Sequence, residues 1–113
     1  MPGTELIQHP LCYVNYALKG DNPMKYDYSR VIIALDTPDE QKALETVRLL
    51  KNKISIFKVG LELFCSQGPE IVKKINAEGC KVFLDLKFHD IPNTVAGAAK
   101  AALSTQAFMF NVH

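Results

Sequence analysis

Five charged residues stand in or beside apolar runs that would ordinarily exclude them. Asp36 closes VIIALD (31–36), Lys58 sits inside ISIFKVG (54–60), and Asp85 and Lys87 lie inside KVFLDLK (81–87), with Asp90 three residues further on. Charge in a dry strand is costly unless it is paired or used. Strand side chains alternate with a period of two, so Asp85 and Lys87 are predicted to share a face with their Cα atoms about 6.6 Å apart. Asp90, beyond the strand, can bring a second carboxylate to the same mouth. A lysine flanked by carboxylates stays protonated, because neighbouring negative charge offsets its desolvation, and it becomes a positioned proton donor. A carboxylate held beside it penalises an anionic group on a bound substrate, and the penalty disappears if that group leaves as a neutral molecule. Decarboxylation is one such reaction. A single Asp-x-Lys is more often a salt bridge at a sheet end, but charges closing three successive strands favour an active site.

Other chemistries find less support. Glu62, Asp85, His89 and Asp90 offer oxygen and nitrogen donors, yet no H-x-x-x-H or C-x-x-C spacing points to a metal. The glycine-rich dinucleotide and P-loop patterns are absent from the sequence. Cys65 has no neighbour that would activate it and is expected to be a buried structural thiol. His89 is expected to hold the loop after the third run, and His9 is uninformative.

The elements that must position these groups follow from the pattern. The four runs, with AFMFNVH (107–113) as the last, are short, nearly continuously apolar and rich in β-branched or aromatic residues, as parallel strands covered on both faces require. Between them, Thr37-Pro38-Asp39-Glu40 reads as a capping box opening a helix with Ala43, Val47 and Leu50 on one face. Gly68-Pro69-Glu70 starts a second helix, with Ile71, Val72 and Ile75 as its stripe and Gly79 as its stop. Pro92-Asn93-Thr94 starts a third, whose Val95, Ala98, Ala99, Ala102 and Leu103 are expected to pack on the sheet. The predicted fold class is α/β, a parallel β-α-β-α-β-α-β chain. Its strand ends, at 36, 60, 87 and 113, bring the chemistry to the carboxyl edge, as in a doubly wound sheet or a barrel.

Composition sets the frame. The 113 residues are 48% apolar and 22% charged, consistent with one globular domain, and a formal net charge of +1 gives no general field for a polyanion or an anionic membrane. No apolar stretch approaches the roughly 18–20 residues of a membrane helix. Cys12, Cys65 and Cys80 are odd in number and far apart, which fits a reducing, cytoplasmic setting. Residues 1–27 read as an irregular N-terminal extension, with Met24 a possible start, and residues 28–113 as the folded unit.

The string Asp85-Leu86-Lys87-Phe88-His89-Asp90-Ile91-Pro92-Asn93-Thr94, preceded by Ala34-Leu35-Asp36 and Phe57-Lys58-Val59-Gly60, closely resembles the orotidine 5′-phosphate decarboxylases. The resemblance covers residues 28–113. It implies the first half of a TIM (β/α)8 barrel and a cofactor-free, metal-free lyase that acts as a homodimer in pyrimidine (UMP) synthesis. Lys87 would be the proton donor to C6 and Asp85 would sit beside the departing carboxylate. Lys58 would hold the network and contact the ribose, and Asp36 would bind a ribose hydroxyl. Asp90 would reach into the partner's site with Thr94 close by, leaving His113 a supporting role. The ten-residue string as a whole would line the substrate site. Magnesium-dependent sugar-phosphate decarboxylases share the D-x-K-x-x-D core but carry an acidic residue at the position of Lys58, where an ammonium group would repel the cation.

A whole barrel of this type takes about 250 residues. The expectation is therefore that the chain alone is unstable or sticky and has little activity, lacking the arginine and backbone amides with which the family grips phosphate. A partial or split copy, a half-barrel that pairs with a second copy or a complementing C-terminal half, and a non-functional remnant are the three readings this leaves.

Overall fold

The computed structural model describes residues 27–113. Nearly all of the expected N-terminal extension, including Met24, lies outside them. A single 3-10 turn at Tyr28–Arg30 leads into β1 (Ile32–Ala34), α1 (Glu40–Leu50), β2 (Ile56–Gly60), α2 (Leu61–Gln67), α3 (Glu70–Ala77), β3 (Lys81–Phe88), α4 (Pro92–Ser104) and β4 (Met109–Val112). The four strands form one parallel sheet in the order β1-β2-β3-β4. A doubly wound sheet reverses its strand order at a switch point, and this one does not. Right-handed crossovers that always advance in one direction put every helix on the same face, which is barrel geometry.

Among the described residues the helices cover one face of the sheet and the other is only partly buried, whereas the apolar runs predict that both are covered. Phe57, Val59, Val82 and Leu84 are at most 1% exposed and pack with Val47, Ile71, Val72 and Ile75, so this face of the sheet is the helix-covered core. Alternation turns Lys58, Phe83 and Asp85 to the other face, where the register sets Lys58 beside Phe83 and Phe83 beside Met109. The outer edges of β1 and β4 have no strand partner among the described residues, and Val31, Ile32, Phe108 and Val112 are exposed there.

Several local expectations change. The first strand stops at Ala34, so Asp36 lies beyond it rather than closing it. An additional helix, α2, follows β2 directly. Its seven residues bury only Leu63, too little for a helical period to appear in the sequence, and Gly68, at φ +70°, separates it from α3. Gly79 ends α3 in the left-handed conformation that makes it a helix stop (φ +83°). Along α4 Ala102 is fully buried and Val95, Ala98 and Ala99 are half-buried, while Leu103 is 65% exposed, so the expected five-residue stripe loses its last member.

The first cap is shifted as well. Asp39, not Thr37, caps α1: its Oδ1 accepts from the Lys42 N–H at 3.2 Å, while Thr37 Oγ1 accepts from the Asp39 N–H at 3.2 Å. Glu40 does not reach back but pairs with Lys74 on α3. A carboxylate cap both satisfies an orphan amide and meets the positive end of the helix dipole. Asp39→Ala is expected to cost about 1 kcal/mol, read as a lower denaturant midpoint with an unchanged slope.

Candidate active site

Asp85 is the centre of the polar cluster. Its Oδ1 accepts from Lys87 Nζ at 2.8 Å and from Asn111 Nδ2 at 2.7 Å, and its Oδ2 faces Lys58 Nζ at 3.2 Å. Three strands supply these groups near their carboxyl ends: β2 gives Lys58, β3 gives Asp85 and Lys87, and β4 gives Asn111. Asp85 is 6% exposed, whereas the Lys87 side chain is 52% exposed and reaches the open side of the cluster. The hydrogen bond from Lys87, followed by that from Asn111, outweighs desolvation and, with Lys58, holds the Asp85 carboxyl down at about 2.

That depression has a thermodynamic consequence. A carboxyl held below its unfolded value of about 3.9 stabilises the fold above that pH, and the contribution is lost as pH falls through 2. Its size is on the order of 2 kcal/mol, discounted because Lys87 is half in water. Denaturant midpoints measured from pH 6 down to pH 2 should fall more steeply for the parent than for Asp85→Asn, with the difference arising below about pH 4.

The Asp85–Lys87 pair forms, but not through a regular pleat. The β3–β4 ladder runs Phe83 to Met109 and Leu84 to Phe110, then resumes only at Phe88 to Val112, so four steps on β3 meet two on β4. Lys87 lies within this irregularity at φ +50°, a left-handed backbone that a side-chain-bearing residue seldom adopts.

The other predicted residues do not join the cluster's ion pairs. Asp36 is exposed beyond β1. Asp90 is exposed beyond β3, where its Oδ1 accepts from the Ile91 N–H at 2.7 Å. A cleft of about 300 Å³ between this loop and α4 is lined by Leu86, Lys87, Phe88, His89, Asp90 and Thr94. Ile91 is the N-cap of α4, with Pro92 and Asn93 in its first turn. His113 meets His89 edge-on, ring centroids 5.6 Å apart, and its N–H donates to the Phe88 carbonyl at 2.8 Å, tying the loop to the end of β4. Cys65 is exposed on α2, not buried as expected, because the helix turns it away from Leu63. Among the described residues no three His, Cys, Asp or Glu side chains converge to hold a metal ion.

Asn111 is the member the sequence reading missed. The signal was the one that singled out Lys58: a polar side chain inside a run, AFMFNVH, that should otherwise be apolar.

Parallel strands in sequential order, helices on one face and a charged cluster at the carboxyl edge define the class as a (β/α) barrel, of which the chain represents part. The profile of the orotidine 5′-phosphate decarboxylase / HUMPS family matches residues 29–113, and the chain belongs to that family. A relative described as orotidine 5′-phosphate decarboxylase from Syntrophomonas wolfei is 54% identical over 84 residues, which are 74% of this chain and 35% of the relative. Its counterpart from Alkalilimnicola ehrlichii is 52% identical over 86 residues, 76% of this chain and 37% of that one. The chain thus spans about a third of the length of these relatives. Among solved structures, the orotidine 5′-phosphate decarboxylase from Pyrococcus horikoshii superposes with a TM-score of 0.69 at 31% identity, over 73% of this chain and 40% of that one. An uncharacterized conserved protein from Geobacillus kaustophilus gives 0.68 at 44% identity, over 73% and 38%.

Proposed function

We propose that the chain forms the N-terminal part of an orotidine 5′-phosphate decarboxylase, producing uridine 5′-phosphate in pyrimidine nucleotide synthesis. The observation that carries this is the Lys58–Asp85–Lys87 array in a chain of this family. In the proposed reaction the bond between C6 and the carboxylate breaks, CO2 leaves as a neutral molecule, and the electron pair stays on C6. The Lys87 ammonium transfers a proton to that carbon and is reprotonated from solvent. Asp85 stands beside the departing carboxylate, disfavouring it in the ground state. Lys58 holds the other Asp85 oxygen and reaches toward the ribose, whose hydroxyl Asp36 accepts.

The chemistry proposed is free of metal and organic cofactor. In support, two ammonium groups already engage the buried carboxylate, an arrangement that repels a divalent cation. The reading further makes the protein a homodimer in which Asp90, outside the cluster of its own chain, enters the partner's site with Thr94 nearby. The 27–113 unit taken alone is expected to be weakly active at most, because remote phosphate contacts supply binding energy that is used in the transition state. The test follows loss of orotidine absorbance with the chain itself and with residues 29–113 grafted over the matched segment of the Syntrophomonas wolfei relative. Turnover by the graft that resists chelator supports the reading. A folded, inactive graft contradicts it.

A further inference from the structure

We propose that Asn111 is a positioning residue, one amide spanning the Asp85 carboxylate and the Lys87 backbone so that the carboxylate and the ammonium are set against each other. Its Nδ2 donates to Asp85 Oδ1 at 2.7 Å, and its Oδ1 accepts from the Lys87 N–H at 2.9 Å. Both bonds fall where the β3–β4 ladder is interrupted between Leu84 and Phe88. The Lys87 N–H therefore donates to a side-chain oxygen in place of a backbone carbonyl of the neighbouring strand, at a residue held in the left-handed region. Backbone strain persists only where the surroundings over-determine it, and the Asn111 amide is the contact that fixes this peptide. The same amide occupies a lone pair of the oxygen that receives Lys87 Nζ at 2.8 Å, fixing the carboxylate's rotation. Position and partner are thus set from one atom group on a neighbouring strand.

The inference rests on the decarboxylase reading for its effect on turnover but not for its effect on geometry. Two substitutions separate a positioning role from mere packing. Asn111→Asp is nearly isosteric and keeps an acceptor for the Lys87 N–H, but it removes the donor and sets a second carboxylate against Asp85, with Lys58 and Lys87 the cations facing the pair. Asn111→Leu removes both bonds at similar volume. In the grafted barrel both are expected to lower kcat by about 10–100-fold with KM within about threefold, as misplacement of a reacting group does. In the same proteins the Asp85 carboxyl, followed by carbon NMR, should titrate about one pH unit higher in both variants, and the Lys87 amide resonance should shift far more in Asn111→Leu. Turnover and titration both unchanged in Asn111→Asp would overturn the proposal. So would losses in either variant that disappear once the assay is confined to the folded fraction. If the parent graft lacks decarboxylase activity, the function reading fails, while the titration and the amide shift still decide the role of Asn111.

Discussion

Replacing Lys87 by alanine is expected to lower kcat for orotidine 5′-phosphate in the grafted barrel by about 10²–10⁴-fold, the range a positioned proton donor contributes. Above about pH 4 the fold should lose only part of the roughly 2 kcal/mol linked to the Asp85 carboxyl. The Lys87 side chain is half exposed, and without it Asp85 keeps the Lys58 ammonium at 3.2 Å and the Asn111 amide at 2.7 Å. The Asp85 carboxyl should titrate at a higher pH in this variant, since the largest influence holding it down is gone. Lys87→Arg sharpens the test. Arginine keeps the positive charge and the ion pair but does not give up its proton at ordinary pH. A purely electrostatic role would leave Lys87→Arg active, whereas proton donation requires it to be nearly as impaired as Lys87→Ala. Turnover in heavy water, with deuterium appearing at C6 of the product, checks the destination of the proton. Substantial activity in Lys87→Ala would remove the assignment.

Much of this arrangement was legible because the residues that depart from local expectation are few. Lys58, Asp85 and Lys87 interrupt runs that packing would make apolar, and the structure brings all three together on the face opposite the core. The division of the strands into a helix-facing core of Phe57, Val59, Val82 and Leu84 and an opposite, charged face is not legible in runs that are apolar almost throughout. What escaped depends on relations between strands. Period two along β3 places Asp85 and Lys87 on one face, but the contact in fact arises across an interrupted ladder with Lys87 at positive φ, which no single-strand pattern encodes. Asn111 matters only through its pairing with another strand 26 residues away in sequence. The helix α2 hides because one buried leucine leaves no period, and the first cap shifts by two residues because Asp39 outcompetes Thr37 for the helix amides. Asp36 and Asp90 remain outside the cluster of a single chain, so their proposed roles depend on substrate and on a second chain.

Asp85→Asn is expected to divide kcat from KM. The substitution keeps the shape of the side chain but removes the charge held at the cluster's centre, and with one acceptor oxygen left it sets an amide NH2 against one of the two ammonium groups. If Asp85 acts by disfavouring the substrate carboxylate, that repulsion vanishes in the ground state, and substrate should bind as well or better. The amide no longer favours departure of the anionic group, so kcat should fall, by about 10²-fold or more. A lower KM with a lower kcat is the signature of ground-state strain removed, whereas loss of simple binding raises KM at constant kcat. The same substitution leaves Lys58 and Lys87 facing one another across a neutral group, and the fold should be destabilised near neutral pH, where the parent carboxylate is fully charged. The destabilisation should shrink toward pH 2, because the parent's own carboxyl is then taking up its proton. A raised KM at unchanged kcat would assign Asp85 to substrate binding. A destabilisation independent of pH would mean that shape, and not charge, is what the cluster draws from this residue.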